Sequence, residues 1–139
     1  MILLDTNVLS ALMRTPQEQA VISWLDQQPP ESVWTTSITV FEVRFGLRLL
    51  ATGRRRHRLE EAFEQSLAED LERRVADFDI TAAEMAAEIA ADRRRAGSPV
   101  EIRDLQIAGI ARARRAALAT RNRRHFQGFG LDLVDPWSA

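Results

Sequence analysis

The first seven residues constrain the fold of this chain most strongly. Three apolar residues, Ile2 to Leu4, lead directly into the carboxylate of Asp5, with no turn residue between them. A short apolar run of this kind predicts a buried strand that delivers Asp5 at its C-terminal end. In an open parallel sheet, ligands bind just beyond the C-terminal ends of the strands. Asp5 is therefore positioned for chemistry, although it could equally serve only to cap the helix that we expect from about Val8.

Strand-like and helical segments alternate along the rest of the chain. The predicted strands, besides the first, are residues 32–36, 75–80, 117–120 and 131–134. The two aspartates in the third of these favour a place near a sheet edge. Strands that alternate with helices imply a parallel sheet covered on both faces. We therefore expect one domain over residues 1–139, an α/β fold built as a three-layer α/β/α sandwich with a short, mostly parallel central sheet.

Local signals indicate where several helices begin. Thr15 can cap a helix whose first residue is Pro16, and Thr81 with Glu84 matches a capping box. Another helix is expected after Gly53. Its apolar residues recur at a spacing of four: Leu59, Phe63, Leu67 and Leu71.

Composition excludes some classes of protein. The chain has no cysteine, so disulfides and thiolate metal sites are excluded. It shows neither the pattern of a signal peptide nor a long apolar run, and we expect a cytoplasmic protein without membrane association. All 19 basic residues are arginine and the net charge is -1. Any contact with nucleic acid must therefore depend on local arginine clusters and not on overall charge.

Glu42 is an acid in the most apolar predicted helix, between Phe41 and Val43. A buried charge without a partner is expensive, so this carboxylate must be paired, hydrogen-bonded or bound to a metal ion. A capping box formed with Thr39 is an alternative, in which Glu42 would bend back to a backbone amide. From the helix alone, that alternative is slightly favoured.

Asp104 lies at the start of a predicted helix over residues 102–115. Its same-face neighbours, Ala108 and Ala111, are small, which predicts close packing and an inward-facing carboxylate. A simple helix cap remains open for this acid as well. Together, Asp5, Glu42 and Asp104 favour a shared site over three separate helix caps. Each is flanked by core-type sequence, and each lies near a strand end or early in the following helix.

Polar residues follow the fourth predicted strand. Thr120 and Asn122 supply neutral oxygens there, and Arg121, Arg123 and Arg124 could hold phosphate oxygens beside a metal site. Oxygen ligands of this kind select Mg²⁺ or Mn²⁺. Such an ion activates a bound water and stabilises charge on phosphoryl oxygens, which is the chemistry of phosphodiester hydrolysis.

Four ordered segments of this chain resemble the motifs of PIN-domain ribonucleases, and most closely those of VapC- and FitB-like toxins of bacterial toxin–antitoxin pairs. The segments are Leu3-Leu4-Asp5-Thr6-Asn7, Phe41-Glu42-Val43 with Gly46 and Leu47 after it, Asp104 followed by Ile107-Ala108, and Leu118-Ala119-Thr120-Arg121-Asn122. The resemblance implies an Mg²⁺- or Mn²⁺-dependent endoribonuclease toxin that acts on an RNA substrate. It also implies a small VapB/FitA-like antitoxin as partner, and a homodimer that forms higher assemblies with it.

The resemblance also implies roles for individual residues. Asp5, Glu42 and Asp104 match the family's metal-binding acids, and Thr6 and Thr120 match supporting hydroxyls. Asn122 takes the place of a fourth catalytic acid that many members have. An amide can still ligate the ion or orient water, but it adds no charge, which puts a second metal ion in doubt. Some relatives place another aspartate at the position of His125, whose role is open.

Two other functions compete with the nuclease. An aspartate-nucleophile phosphatase also uses an acid at the end of its first strand, but it is expected to carry a second acid where this chain has Asn7. The other alternative is a catalytically silent PIN-fold binding module. The presence of all three acids argues against it, because clustered carboxylates without a cation repel one another. We also expect apolar helix surface near Trp24 or Leu47 to be covered by the antitoxin.

Overall fold

The computed structural model describes residues 1–139 and has a five-stranded sheet in which every neighbouring pair of strands is parallel. The strands are β1 (Ile2–Leu4), β2 (Val33–Thr36), β3 (Val75–Ala76), β4 (Ala117–Ala119) and β5 (Leu133–Val134). Their order across the sheet is β3-β2-β1-β4-β5, so β1 is central. The edge position expected for β3 is confirmed. This strand ends at Ala76, earlier than predicted, because Asp79 already caps the next helix.

Seven helices surround the sheet. They are α1 (Thr6–Met13), α2 (Gln19–Asp26), α3 (Ser37–Leu49), α4 (Arg54–Gln65), α5 (Ile80–Arg95), α6 (Ile102–Arg114) and α7 (Arg123–Phe126). A 3₁₀ turn at Pro30–Ser32 precedes β2, and a π-helical turn at Ser66–Asp70 continues α4. This wider turn suits the spacing of four found in the sequence, because an α-helix repeats every 3.6 residues.

Side chains of β1 alternate between the two faces of the sheet and so join two separate cores. Leu4 packs with residues of α1, α2, α3 and α4 on one face. Leu3 packs with residues of α5, α6 and α7 on the other. Strand side chains point alternately to opposite faces, so a central parallel strand must be apolar on both sides. The predicted three-layer α/β/α sandwich is confirmed. None of the helices combines the length and hydropathy needed to cross a bilayer.

Two helix starts differ from the predictions. α2 begins at Gln19 and not at Pro16, because Gln17 turns back and donates from its side-chain amide to the Leu12 carbonyl at 3.0 Å. α5 begins at Ile80, where the Asp79 carboxylate accepts the Ala82 amide proton at 3.0 Å. The capping box predicted from Thr81 therefore does not form.

Candidate active site at the carboxyl edge of the sheet

Asp5 follows β1 at the carboxyl edge of the sheet, where the sequence placed it. Its side chain is only 6% exposed. One carboxylate oxygen accepts the Thr6 backbone amide at 2.8 Å, which caps α1, and the other accepts the Thr120 hydroxyl at 2.7 Å. Asp5 therefore does both things that its sequence position allowed: it caps a helix and it lies in a polar cluster.

Glu42 is linked to Asp5 through Thr6, whose backbone amide donates to the Asp5 carboxylate. The Thr6 hydroxyl donates to the Glu42 carboxylate at 2.7 Å. The alternative capping box is excluded, because Thr36 caps α3 by accepting the Thr39 amide proton at 3.0 Å. Glu42 thus lies one turn further into the helix and faces the end of β1. Arg103 from α6 approaches its other oxygen at 3.7 Å.

Asp104 lies in the first turn of α6 but does not cap it. The cap is Glu101, whose carboxylate accepts the amide protons of Arg103 and Asp104. The Asp104 carboxylate is therefore free to face the site, where His125 Nδ1 is 3.5 Å from it. The alternative in which Asp104 is only a helix cap is excluded.

Two carboxylates of the site, those of Asp104 and Asp5, have a raised pKa. Burial raises the pKa of Asp104 to about 6, opposed by His125 and reinforced by the negative charges of Asp5, Glu101 and Glu42. Burial also raises the pKa of Asp5, although the Thr120 hydroxyl, the Thr6 amide and His125 oppose the rise. All the hydrogen-bond partners of Asp5 are neutral. The cluster therefore has an excess of negative charge that a cation would relieve.

The donor chemistry of the cluster fits a hard divalent cation, because Asp5, Glu42 and Asp104 offer only oxygen. The side chains as they stand do not, however, form a ready set of three or more metal-binding groups. The negative charges of Asp5 and Glu42 both raise the pKa of Asp104. The assignment of the three acids as ligands of Mg²⁺ or Mn²⁺ stays a prediction.

Thr120 and Asn7 join β4 to α1 beside Asp5. The Asn7 side-chain amide donates to the Thr120 hydroxyl at 3.3 Å, and its carbonyl accepts the Arg121 amide proton at 3.0 Å. The Asn122 amide also donates to the Thr120 hydroxyl, at 3.0 Å. Thr120 thus orients the Asp5 carboxylate, and Asn7 connects α1 to the residues at the end of β4. Sequence reasoning assigned Asn7 no role in this site, and its place two residues after Asp5 was the only signal for one.

The three arginines predicted to bind phosphate have different surroundings. The guanidinium of Arg121 stacks on the Trp137 ring at 4.7 Å, and the residue is exposed. Arg123 is exposed at the start of α7. Arg124 lines a cavity that also includes Asp104 and His125. Of the three, Arg124 is therefore the arginine next to the acids.

Two cavities flank the acid cluster. The first, which we call the Asp104 cavity, has a volume of about 290 Å³ and is lined by Arg93, Ser98, Glu101, Asp104, Arg124 and His125, among others. The second, the Glu42 groove, measures about 370 Å³ and lies between α1, α3 and α4, with Thr6, Glu42 and Arg55 in its wall. A chain that crosses the acids could occupy both cavities.

The fold and this site define an α/β protein with an acidic centre at the carboxyl edge of a parallel sheet. The family model described as "PIN domain" matches residues 2–129. The chain belongs to the PIN-domain family, as its sequence motifs indicated.

Relatives with printed names match over nearly the full length. The plasmid stability protein StbB of Pseudomonas syringae pv. tomato is 40% identical over 139 residues, 100% of both chains. The VapC ribonuclease Y4jK of Sinorhizobium fredii is 36% identical, over 99% of this chain and 98% of its own. The toxin FitB of Neisseria gonorrhoeae is 34% identical over 99% of both chains. The crystal structure of FitAcB from that organism has a TM-score of 0.89 and 34% identity, with complete coverage of both chains.

Proposed function

We propose that this chain is an Mg²⁺- or Mn²⁺-dependent endoribonuclease toxin that acts in the cytoplasm. The observation that carries the proposal is the gathering of Asp5, Glu42 and Asp104 at the carboxyl edge of the sheet, where the pKa of Asp104 is raised to about 6. Family membership and the similarity to a named VapC ribonuclease and a named toxin support the same reaction.

Each residue of the site has a distinct task in this proposal. Asp5, Glu42 and Asp104 hold the cation, which when bound supplies Lewis acidity toward a phosphodiester. The hydroxyls of Thr6 and Thr120 donate to Glu42 and Asp5 and so fix the direction in which these carboxylates point. Orienting donors of this kind keep ligands in a productive geometry.

The residues after β4 serve the substrate. Asn122 offers an amide at the strand end, in place of a fourth acid, and orients water or the phosphate. Arg124 lines the cavity beside Asp104 and supplies a cation for a phosphate oxygen. Arg121 and Arg123 contribute positive charge at the rim. In the reaction a water oxygen bonds to phosphorus, one P–O bond of the RNA backbone breaks, and the leaving oxygen takes up a proton.

The partners follow from family membership. We propose a small VapB/FitA-like antitoxin that covers the site and a homodimer that assembles further with it. Exposed aromatic residues on α3, Phe41 and Phe45, support a protein–protein interface, because such side chains are normally covered in the working assembly. Trp24 and Leu47 themselves are buried in the core on the α1–α4 face. The exposed apolar side chains near Leu47 are those of Phe45 and Leu49.

The test is cleavage of RNA by the purified chain with Mg²⁺ or Mn²⁺, compared with EDTA and with Asp5→Asn. Because changing a residue that merely orients a ligand costs about 10–100-fold, Asp5→Asn should lower the rate by more. Asp92→Asn removes an acid remote from the site, paired only with Arg95, and is the matched control. Equal cleavage by Asp5→Asn and Asp92→Asn would attribute the activity to a contaminant.

A further inference from the structure

Arg93 is a cation that the PIN motifs do not include. It lies in the last turn of α5 and reaches into the wall of the Asp104 cavity. Its Nε is buried and has no hydrogen-bond partner. Its neighbour Arg94 is exposed and does not line that cavity, and Arg95 pairs with Asp92 at 3.3 Å. Of these three consecutive arginines, only Arg93 is built into the protein beside the acids.

The guanidinium of Arg93 is held in place by apolar contacts. Its central carbon lies 5.4 Å from the centroid of the Phe129 ring, and Phe129 packs edge-on against Phe126 at 6.1 Å. One terminal nitrogen lies 2.9 Å from the position that a Cβ at Gly128 would take. Gly128 has a φ of +81°, so glycine suits the position for two reasons. Arg93 is therefore a half-buried cation that is held against the Phe129 ring.

Neither of the two carboxylates that line the cavity pairs with Arg93 or Arg124. Glu101 accepts two backbone amide protons of α6 and pairs with the Arg103 side chain at 3.1 Å. Asp104 faces His125. Arg93 and Arg124 thus line the same cavity without a carboxylate within ion-pair distance of either. The Ser98 hydroxyl group belongs to the same wall.

We propose that the Asp104 cavity is a phosphate subsite that binds a backbone phosphate of the RNA strand next to the phosphate that is cleaved. Arg93 and Arg124 are its cationic ligands, and Ser98 is an additional donor. The subsite rests on the proposed nuclease function for its substrate. Guanidinium groups bind phosphate oxygens through directed, charge-assisted hydrogen bonds. A cavity of about 290 Å³ has room for one phosphate with part of its sugar, close to the lower end of small-ligand sites at about 300 Å³.

The first experiment measures binding and not cleavage. Fluorescence anisotropy with a short single-stranded RNA, in EDTA and over a series of salt concentrations, compares wild type with Arg93→Gln, Arg93→Lys and Arg94→Gln. We expect Arg93→Gln to weaken binding about tenfold and to reduce the slope of log K against log salt by about 0.7, the loss of one phosphate contact. Arg94→Gln should stay within about twofold of wild type, and Arg93→Lys should recover the salt slope but only part of the affinity.

A second readout uses inorganic phosphate as the probe. The buried Nε–H of Arg93 should give an NMR signal that shifts with added phosphate in wild type, and the shift should be lost in Arg124→Gln. This measurement is independent of RNA. Phosphate binding without RNA binding would overturn the assignment to an RNA strand.

Several results would overturn the subsite. If Arg93→Gln and Arg94→Gln weaken RNA binding equally, the affinity comes from general positive charge and not from a specific phosphate contact of Arg93. A lower melting temperature for Arg93→Gln with unchanged RNA affinity would show that Arg93 only supports the Phe129 loop. Unchanged RNA affinity with weaker binding of an acidic antitoxin peptide would assign the cavity to a protein partner. If the expected differences in binding appear but wild type cleaves no RNA with Mg²⁺, the subsite stands and the proposed nuclease function fails.

Discussion

Asp104 is the residue whose ionisation reports most directly on the state of the site. Its pKa in the folded protein is about 6, against an ordinary value of 3.8. The folded state therefore binds the proton more tightly than the unfolded chain does. In metal-free protein, this residue favours folding while it is protonated. As the pH rises from about 4 to about 6, ionisation of Asp104 lowers the free energy of unfolding by a growing amount, which is constant above that range.

This pH dependence can be isolated with Asp104→Asn, which cannot ionise. In EDTA, the variant should gain stability relative to wild type as pH rises through about 4 to 6, and the difference should then level off up to about pH 8. Urea unfolding of both proteins at a series of pH values measures it. A difference in the free energy of unfolding that stays constant over this pH range would show that the Asp104 carboxyl is not perturbed.

The site residues differ in how far the sequence identifies them. Asp5, Glu42 and Asp104 stand out because an acid in apolar surroundings must have a partner. Arg93 does not, because one arginine among three is distinguished only by the Phe129 ring and the Gly128 loop, which reach it from a distant part of the chain. Burial of a long cationic side chain is decided by tertiary packing, and no local pattern predicts it.

At the scale of elements, the close pairing of α5 with α6 positions Asp104. Gly109 permits this contact, because a Cβ there would lie 2.4 Å from the Ala82 carbonyl oxygen and 2.8 Å from the Ala86 Cβ. Helices approach this closely only where small residues face each other.

Replacement of Gly109 by alanine should force α5 and α6 apart. We expect the free energy of unfolding to fall by about 1–3 kcal/mol, as for other overpacked core sites. Gly46 is the matched control: it is an exposed residue inside α3, and a Cβ there meets nothing within 4 Å. Gly46→Ala should raise stability by about 0.5–1 kcal/mol through helix propensity. Urea unfolding measures both changes, and a loss no greater for Gly109→Ala than for Gly46→Ala would contradict the packing.

Element types follow from the sequence more reliably than element ends do. The five strands were predictable because buried parallel strands read as apolar runs between turn signals. The starts of α2 and α5 were not, because several Ser, Thr and Asp residues compete for a cap. Asp79 takes the place expected for Thr81, and Thr36 that expected for Thr39. Which of them caps depends on where the preceding strand leaves the sheet.

At the scale of the whole molecule, an apolar stripe lies on the outer face of α3. It consists of Phe41, Phe45 and Leu49, which are 55%, 49% and 71% exposed. The two phenylalanine rings stack in parallel, with their centroids 5.9 Å apart. Residues four apart share a helix face, so the stripe offers a continuous surface to another helix. The proposed homodimer would bury it.

The double substitution Phe41→Ser and Phe45→Ser should therefore convert a dimer into a monomer while the fold is retained. Light scattering gives the mass, and circular dichroism checks the fold. Ile80→Ser removes a more exposed apolar residue outside the stripe, 78% exposed at the start of α5, and should leave the mass unchanged. A wild-type chain that is monomeric at micromolar concentration would contradict a dimer through this stripe.

The central claim is that Asp5, Glu42 and Asp104 hold one divalent cation. Calorimetric titration of Mn²⁺ into the metal-free protein tests it most directly, with Asp5→Asn, Glu42→Gln and Asp104→Asn beside the control Asp92→Asn. We predict that wild type and Asp92→Asn bind Mn²⁺ alike and that each of the other three variants binds it at least about tenfold more weakly. Equal Mn²⁺ affinity in all five proteins, or no binding in any, would contradict the claim and leave the three acids as a helix cap and hydrogen-bond partners.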